Sequence, residues 1–282
     1  MATDDSALRL PAGSIAPGAR LHCKRWSPAG AAKAAILISH GYAEHLGRYE
    51  HVAAALTAAG YDVFAIDHWG HGQSDGERGY APAFSVFLDG VEALVEKANA
   101  ELPGRKKFLL GHSMGALIAA NYLTRDDKAF AGAALSGPSI KAVEEPSAAV
   151  LFIGRVLSKI APKAGLIQLD PALVSRDPAV VKAYIDDPLV YCGKMSARLG
   201  AALIDAMRST LQNAPAIGLP ILIMHGSQDG LAAPEGARML NARISSPDKT
   251  LKIYDGFFHE IFNDPGKENV IADMIAWLDA HC

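Results

Sequence analysis

The chain has 282 residues, half of them hydrophobic and a fifth charged, enough for one large domain or two small ones with a sizeable core. A net charge of -3 gives no general basic field, which argues against nucleic acid as a partner. Three scattered cysteines suit neither a disulfide framework nor a zinc site, and with no basic-then-apolar leader at the start they suggest a cytoplasmic protein.

In chain order, residues 8 to 26 read as a hairpin able to supply antiparallel edge strands. Short apolar runs follow, each closed by a glycine-rich or polar turn: AAILISHG, YDVFAIDHWGHG, KFLLGHSMG, FAGAALSGP, PILIMHGSQDG and TLKIYDG. Runs of this kind are expected as buried parallel strands. Between them YEHVAAALTAAG, FSVFLDGVEALVEKANAEL and MGALIAANYLTR have helical spacing, and GKENVIADMIAWLDAHC closes the chain as an amphipathic helix. Strand and helix in alternation predict an α/β fold with a mostly parallel sheet and helices on both faces.

The alternation breaks between about Ser139 and Gly218, where no strand is expected. This divides the chain into a core of 1–138 and 219–282 and an inserted cap of 139–218. Within the insertion, SAAVLFIGRVLSKIAPKAG is apolar around most of its circumference, and Arg155, Lys159 and Lys163 fall at i, i+4 and i+8 on one face. Such a helix either packs on the core with a solvated basic edge or rests on a lipid surface. Peripheral membrane contact therefore stays open, and the choice between monomer and homodimer is undecided.

LLGHSMGA carries a G-x-S-x-G pattern, Gly111 to Gly115, on a strand that runs straight into a helix. A serine on so sharp a turn needs glycine two residues to either side, and Ser113 has both. A serine hydroxyl is too weak an acid to attack alone; it needs a base, and the base needs an acid to fix its tautomer. Asp229 follows the strand PILIMHG, and His259, within YDGFFHEIF, follows the last strand. In a parallel sheet these carboxyl ends share one edge, so Ser113, Asp229 and His259 can converge as a catalytic triad. The Met114 amide and that of Tyr42, in the turn after AAILI, are candidate oxyanion donors. The histidines fit no metal-binding spacing, and the chemistry calls for no cofactor.

Taken together, HGYAEHLGRYEHVA, DHWGHGQSDGER, LLGHSMGA, SRDPAVVKAYIDDPL and LKIYDGFFHE resemble the monoacylglycerol lipase family, also called lysophospholipase-like, of the α/β-hydrolase superfamily. The resemblance implies an ester hydrolase that releases fatty acid and glycerol from a small lipid ester, with a mobile cap that forms an apolar tunnel and docks on membranes. It further implies that Glu44, Arg48, His112 and Tyr184 recognise the glycerol end. A lysophospholipase or broad carboxylesterase is the alternative activity, and a non-catalytic binding module the alternative class. Ala43 stands where the family commonly has glycine, Tyr42 where a smaller residue is common, Ala116 where a second glycine follows GHSMG, and Phe262 where some members have another histidine.

Overall fold

The computed structural model describes residues 1–144 and 147–282. Two strands, β1 (Ala2–Arg9) and β2 (Arg20–Ser27), form the N-terminal hairpin. It starts six residues earlier than the sequence suggested: ATDDSALR is polar and its burial pattern mostly exposed, so its pairing depends on backbone bonds rather than an apolar face. The core continues as β3 (Ala35–Ser39), α1 (Glu50–Ala58), β4 (Asp62–Ile66), α2 (Ser85–Glu101), β5 (Lys107–His112), α3 (Met114–Leu123) and β6 (Gly132–Ser136).

After β6 come α4 (Ala148–Ile160), β7 (Gly165–Ile167), α5 (Pro178–Asp186), β8 (Met195–Ser196) and α6 (Ala197–Asn213). The chain then returns to the core as β9 (Ile221–Gly226), α7 (Pro234–Arg243), β10 (Lys249–Tyr254) and α8 (Lys267–His281).

Eight strands form one sheet in the order β1-β2-β4-β3-β5-β6-β9-β10, antiparallel at the β1–β2 and β2–β4 pairs and parallel from β4 onward. Alternate residues of the strands face opposite sides, as the two-residue period requires. Leu37, Leu109 and Ile223 join Leu94 of α2, Leu117 of α3 and Leu240 of α7 in one apolar cluster. Ile36, Leu110 and Met224 join Leu56 of α1 and Met274 of α8 in a cluster on the other face. Burial on both sides is why β3, β4, β6 and β9 read as continuous apolar runs, whereas β10, expected to be buried like them, lies at the sheet edge and is buried only at Tyr254.

Among the described residues, the segment between β6 and β9 adds no strand to this sheet. Contrary to expectation it does contain strands: β7 and β8 pair antiparallel as a separate two-stranded ribbon with a register irregularity. Three and two residues long, they are too short to show a periodicity. The expected basic face is also shorter than predicted. α4 ends at Ile160, so Lys163 lies beyond it and pairs with Glu77, while Arg155 meets Asp205 of α6 at 2.9 Å.

Candidate active site

The functional candidates stand where parallel strands end. Tyr42 follows β3, Ser113 follows β5, Asp229 follows β9 and His259 follows β10. Ser113 holds φ 53° and ψ −117°, a left-handed conformation rare for a residue with a side chain. Its neighbours explain why the turn needs glycine. A methyl group on Gly115 would lie 2.0 Å from the Ser39 carbonyl oxygen, and one on Gly111 2.6 Å from that of Gly115. The bend thus lets α3 pack onto β3 and lifts the hydroxyl above the sheet.

There Ser113 Oγ lies 2.8 Å from His259 Nε2, 146 positions away in sequence, and His259 Nδ1 lies 2.6 Å from Asp229 Oδ2, closing the relay. Asp229 Oδ1 accepts the amides of Leu231 and Ala232 at 2.8 and 2.9 Å, so the carboxylate is locked by its own turn. Burial alone would raise its pKa, but His259, His225 and their hydrogen bonds hold it far below the ordinary carboxylate range. For His259 burial lowers the pKa, and the Asp229 charge and hydrogen bond reverse that, leaving it above 6.5. Asp229 is therefore held as an anion, and its charge favours the protonated imidazole of His259.

Two neighbours were not foreseen. His225, within β9, places Nε2 2.9 Å from Asp229 Oδ2 and 3.0 Å from the Ala232 carbonyl, so one N–H faces two acceptors. Ser139 places Oγ 3.2 Å from Ser113 Oγ, and its amide donates to the Ser113 carbonyl. A histidine inside an apolar strand and a serine after a turn carry no local signal of such contacts.

A narrow pocket of about 30 Å³ opens over Ser113, with Gly41, Tyr42, Leu169, Tyr184 and Tyr191 among the residues around it. Met114 is the first residue of α3, so no helical carbonyl lies four residues back to take its amide. Ala43, next to Tyr42, is the one non-glycine residue besides Ser113 with positive φ among the described residues, at 70°.

Of the candidates for the polar end, Glu44, His112 and Tyr184 line the pocket and Arg48 does not. The Arg48 guanidinium is turned to carboxylates: Nη1 meets Glu260 Oε1 and Glu44 Oε2, Nη2 meets Glu260 Oε2 at 2.7 Å, and its flat face lies 4.6 Å from the Tyr184 ring centre. Arg48, expected with them at the glycerol end, is thus engaged by two acids in this structure. Arg48 sits behind the wall, its charge already shared between two acids. His112 is neutral, because burial and the nearby His259 push its pKa well below 6.5, and its Nδ1 lies 3.1 Å from Ser136 Oγ.

Residues 30–266 match the family model described as serine aminopeptidase, S33. The monoacylglycerol lipase of Mycolicibacterium smegmatis is 39% identical, with 94% of each chain covered, and the human monoglyceride lipase is 38% identical over 90% of this chain and 84% of that one. The chain belongs to the monoacylglycerol lipase family of the α/β-hydrolase superfamily. The crystal structure of Paleococcus ferrophilus monoacylglycerol lipase superposes on it with a TM-score of 0.85 at 33% identity, covering 93% of this chain and 99% of that one. Membership of the monoacylglycerol lipase family matches what the five sequence stretches implied, and the mostly parallel sheet is the fold of that family.

Proposed function

We propose that this protein hydrolyses monoacylglycerols to fatty acid and glycerol through an acyl-serine intermediate. The observation that carries the reading is the unbroken relay from Ser113 through His259 to Asp229 at the mouth of a pocket, in a chain this similar to monoacylglycerol lipases. Ser113 Oγ attacks the ester carbonyl carbon as His259 Nε2 takes its proton. The carbonyl oxygen becomes an anion and accepts the amides of Tyr42 and Met114. Collapse of this intermediate breaks the bond to glycerol, which leaves with the proton from His259. Water then attacks the acyl-serine by the same relay and releases the fatty acid.

Residues 139–218 serve as a lid: a cavity of about 30 Å³ has room for little more than a water or two, so a lipid enters only after this segment moves. Glu44, His112 and Tyr184 meet the glycerol hydroxyls. The outer face of α4 exposes Val150, Phe152, Ile153, Val156 and Ile160, with Phe152 68% and Ile160 74% accessible, and Arg155 and Lys159 stand beside it. That face rests on a lipid surface, from which single-chain amphiphiles are drawn. No helix among the described residues is long and apolar enough to cross a membrane.

The test is a substrate profile of the purified protein on monoacylglycerols, lysophosphatidylcholine, triacylglycerols and short p-nitrophenyl esters, with Ser113→Ala as control. Monoacylglycerol should have the highest kcat/KM. Faster turnover of lysophosphatidylcholine would overturn the substrate class, and full turnover by Ser113→Ala would overturn the mechanism.

A further inference from the structure

Directly after the base stands Glu260, buried and charged, which no step of the proposed reaction uses. Both of its oxygens bind Arg48, and Oε2 also accepts Asn263 Nδ2 at 3.0 Å. Arg48 lies on the loop between β3 and α1, 212 positions away. The chain of contacts runs on. Arg48 reaches Glu44 Oε2, and Glu44 Oε1 accepts the Gly41 amide at 2.6 Å and the Tyr49 hydroxyl at 2.7 Å. Gly41 immediately precedes Tyr42, whose amide is the candidate oxyanion donor.

We infer that Glu260 is a positioning residue for the reaction: through Arg48 and Glu44 it clamps the loop carrying the base to the loop carrying the oxyanion donor. The inference rests on the triad roles proposed above. These two loops come from different strands, β10 and β3, that are not adjacent in the sheet. No backbone ladder joins them, so another contact must set their spacing, and a guanidinium gripped by both carboxylate oxygens is geometrically the most restrictive one available. Stability is a poor alternative explanation. Burying ions is costly, and here the side chains of Arg48, Glu44 and Glu260 are 11%, 3% and 5% exposed, with two acids on one base. Well-packed apolar residues would hold the fold as well; they would not hold an angle and a distance.

The clamp also carries a net negative charge toward the imidazole. The groups around His259 are Asp229 and His225 from the β9 end, His112 from β5, Glu44 and Arg48 from the β3 loop, and Glu260 itself. After burial and Asp229, the charges of Glu260 and Glu44 raise the His259 pKa further. Removing Glu260 or removing Arg48 must then move the base in opposite directions, because one loses an acid and the other loses the cation that offsets two. A merely structural role would not give opposite shifts.

The experiment uses the full chain and p-nitrophenyl butyrate, so that lipid selectivity is not at stake. In Glu260→Gln, kcat should fall by about ten- to a hundredfold with KM within about threefold, as expected for a mispositioned reacting group. The acid limb of its kcat/KM profile should shift to lower pH, and that of Arg48→Met to higher pH. Glu260→Asp, which keeps the charge but not the two-point grip, should recover the pH limb without recovering kcat. The double variant R48M/E260M removes the Arg48–Glu260 grip while Glu44 keeps the Gly41 amide and the Tyr49 hydroxyl, and should lose kcat like Glu260→Gln even if a single variant folds poorly. Folded Glu260→Gln with kcat within twofold of the parent and an unmoved limb, or folded R48M/E260M with kcat within twofold of the parent, would refute the clamp. Turnover of this ester that survives Ser113→Ala would instead refute the triad, a separate result.

Discussion

Strand β3 and helix α4 are both written almost entirely in apolar residues, yet every residue of β3 is buried and only Ser158 of α4 is. The difference lies in what surrounds them. β3 sits mid-sheet with α1 and α8 on one side and α2 and α3 on the other, so its apolar surface finds partners within the chain. α4 meets α6 on one side and leaves the rest to solvent. The apolar face of α4 turned away from α6 is the one proposed above to rest on a lipid surface. On the proposed reading the molecule separates into a buried part that holds the reacting groups and an exposed apolar part that meets the substrate's surroundings. Chemistry should respond to changes in the first, and access from lipid to changes in the second.

The largest effect should come from the buried part. Ser113→Ala should lower kcat on any ester by on the order of 10⁴-fold or more without unfolding the protein, and Asp229→Asn by about 10⁴-fold, because the amide no longer holds the base in its working tautomer. Thermal melting of each variant shows that the loss is chemical. Labelling by a fluorophosphonate probe should vanish in Ser113→Ala; if another serine labelled equally, the division drawn here would fail at its centre.

The lid side should give a conditional effect. Phe152→Ser with Ile160→Ser should cut binding to phospholipid vesicles, read by sedimentation, by about tenfold or more, since each side chain removes roughly 1.5–3 kcal/mol of apolar transfer. Turnover of a short water-soluble ester should stay within twofold of the parent. If both assays fell together, α4 would be packing against the core in solution, and the contrast with β3 would dissolve.

Acidity tests the electrostatics. As the proposed base His259 works only when neutral, and its folded pKa lies above 6.5, so activity should be full well above that pKa and decline as pH falls through it. The acid-limb midpoint of kcat/KM on the short ester is therefore expected above pH 6.5. Asp229 remains ionised throughout this window, because its pKa is depressed far below it. A midpoint below 6 would mean that burial outweighs the Asp229 charge.

How far these features were legible in the sequence follows the same division. The central strands could be read because burial on both faces leaves no polar interruption, and the serine turn because steric crowding forces glycine at two fixed positions. Asp229 and His259 could be placed because a parallel sheet gathers its strand ends. Contacts between loops left no such trace. The family resemblance puts Arg48 at the glycerol end, and nothing local reveals that it grips Glu260 across 212 positions. The β7–β8 ribbon was missed because it is set by the packing of its surroundings rather than by periodicity.

The smallest expected effect concerns the seam between the two parts. Ala43 is buried in the turn beside Tyr42, and its carbonyl accepts the amide of Tyr191 from the 139–218 segment at 2.8 Å. At φ 70° its backbone is left-handed, which costs a residue with a side chain about 1–2 kcal/mol. Glycine would relieve that strain but lose about 0.8 kcal/mol from the buried methyl and roughly 0.5–1 kcal/mol through the greater freedom of the unfolded chain. These contributions nearly cancel, so Ala43→Gly should alter unfolding free energy by no more than about 1 kcal/mol, measured as a change in urea midpoint at constant slope. A loss above about 2 kcal/mol would mean that the turn is not strained and that Ala43 packs as an ordinary core residue. With stability matched in this way, any change in kcat for Ala43→Gly reports on how stiffly the Tyr42 amide is held, independently of the clamp from Glu260.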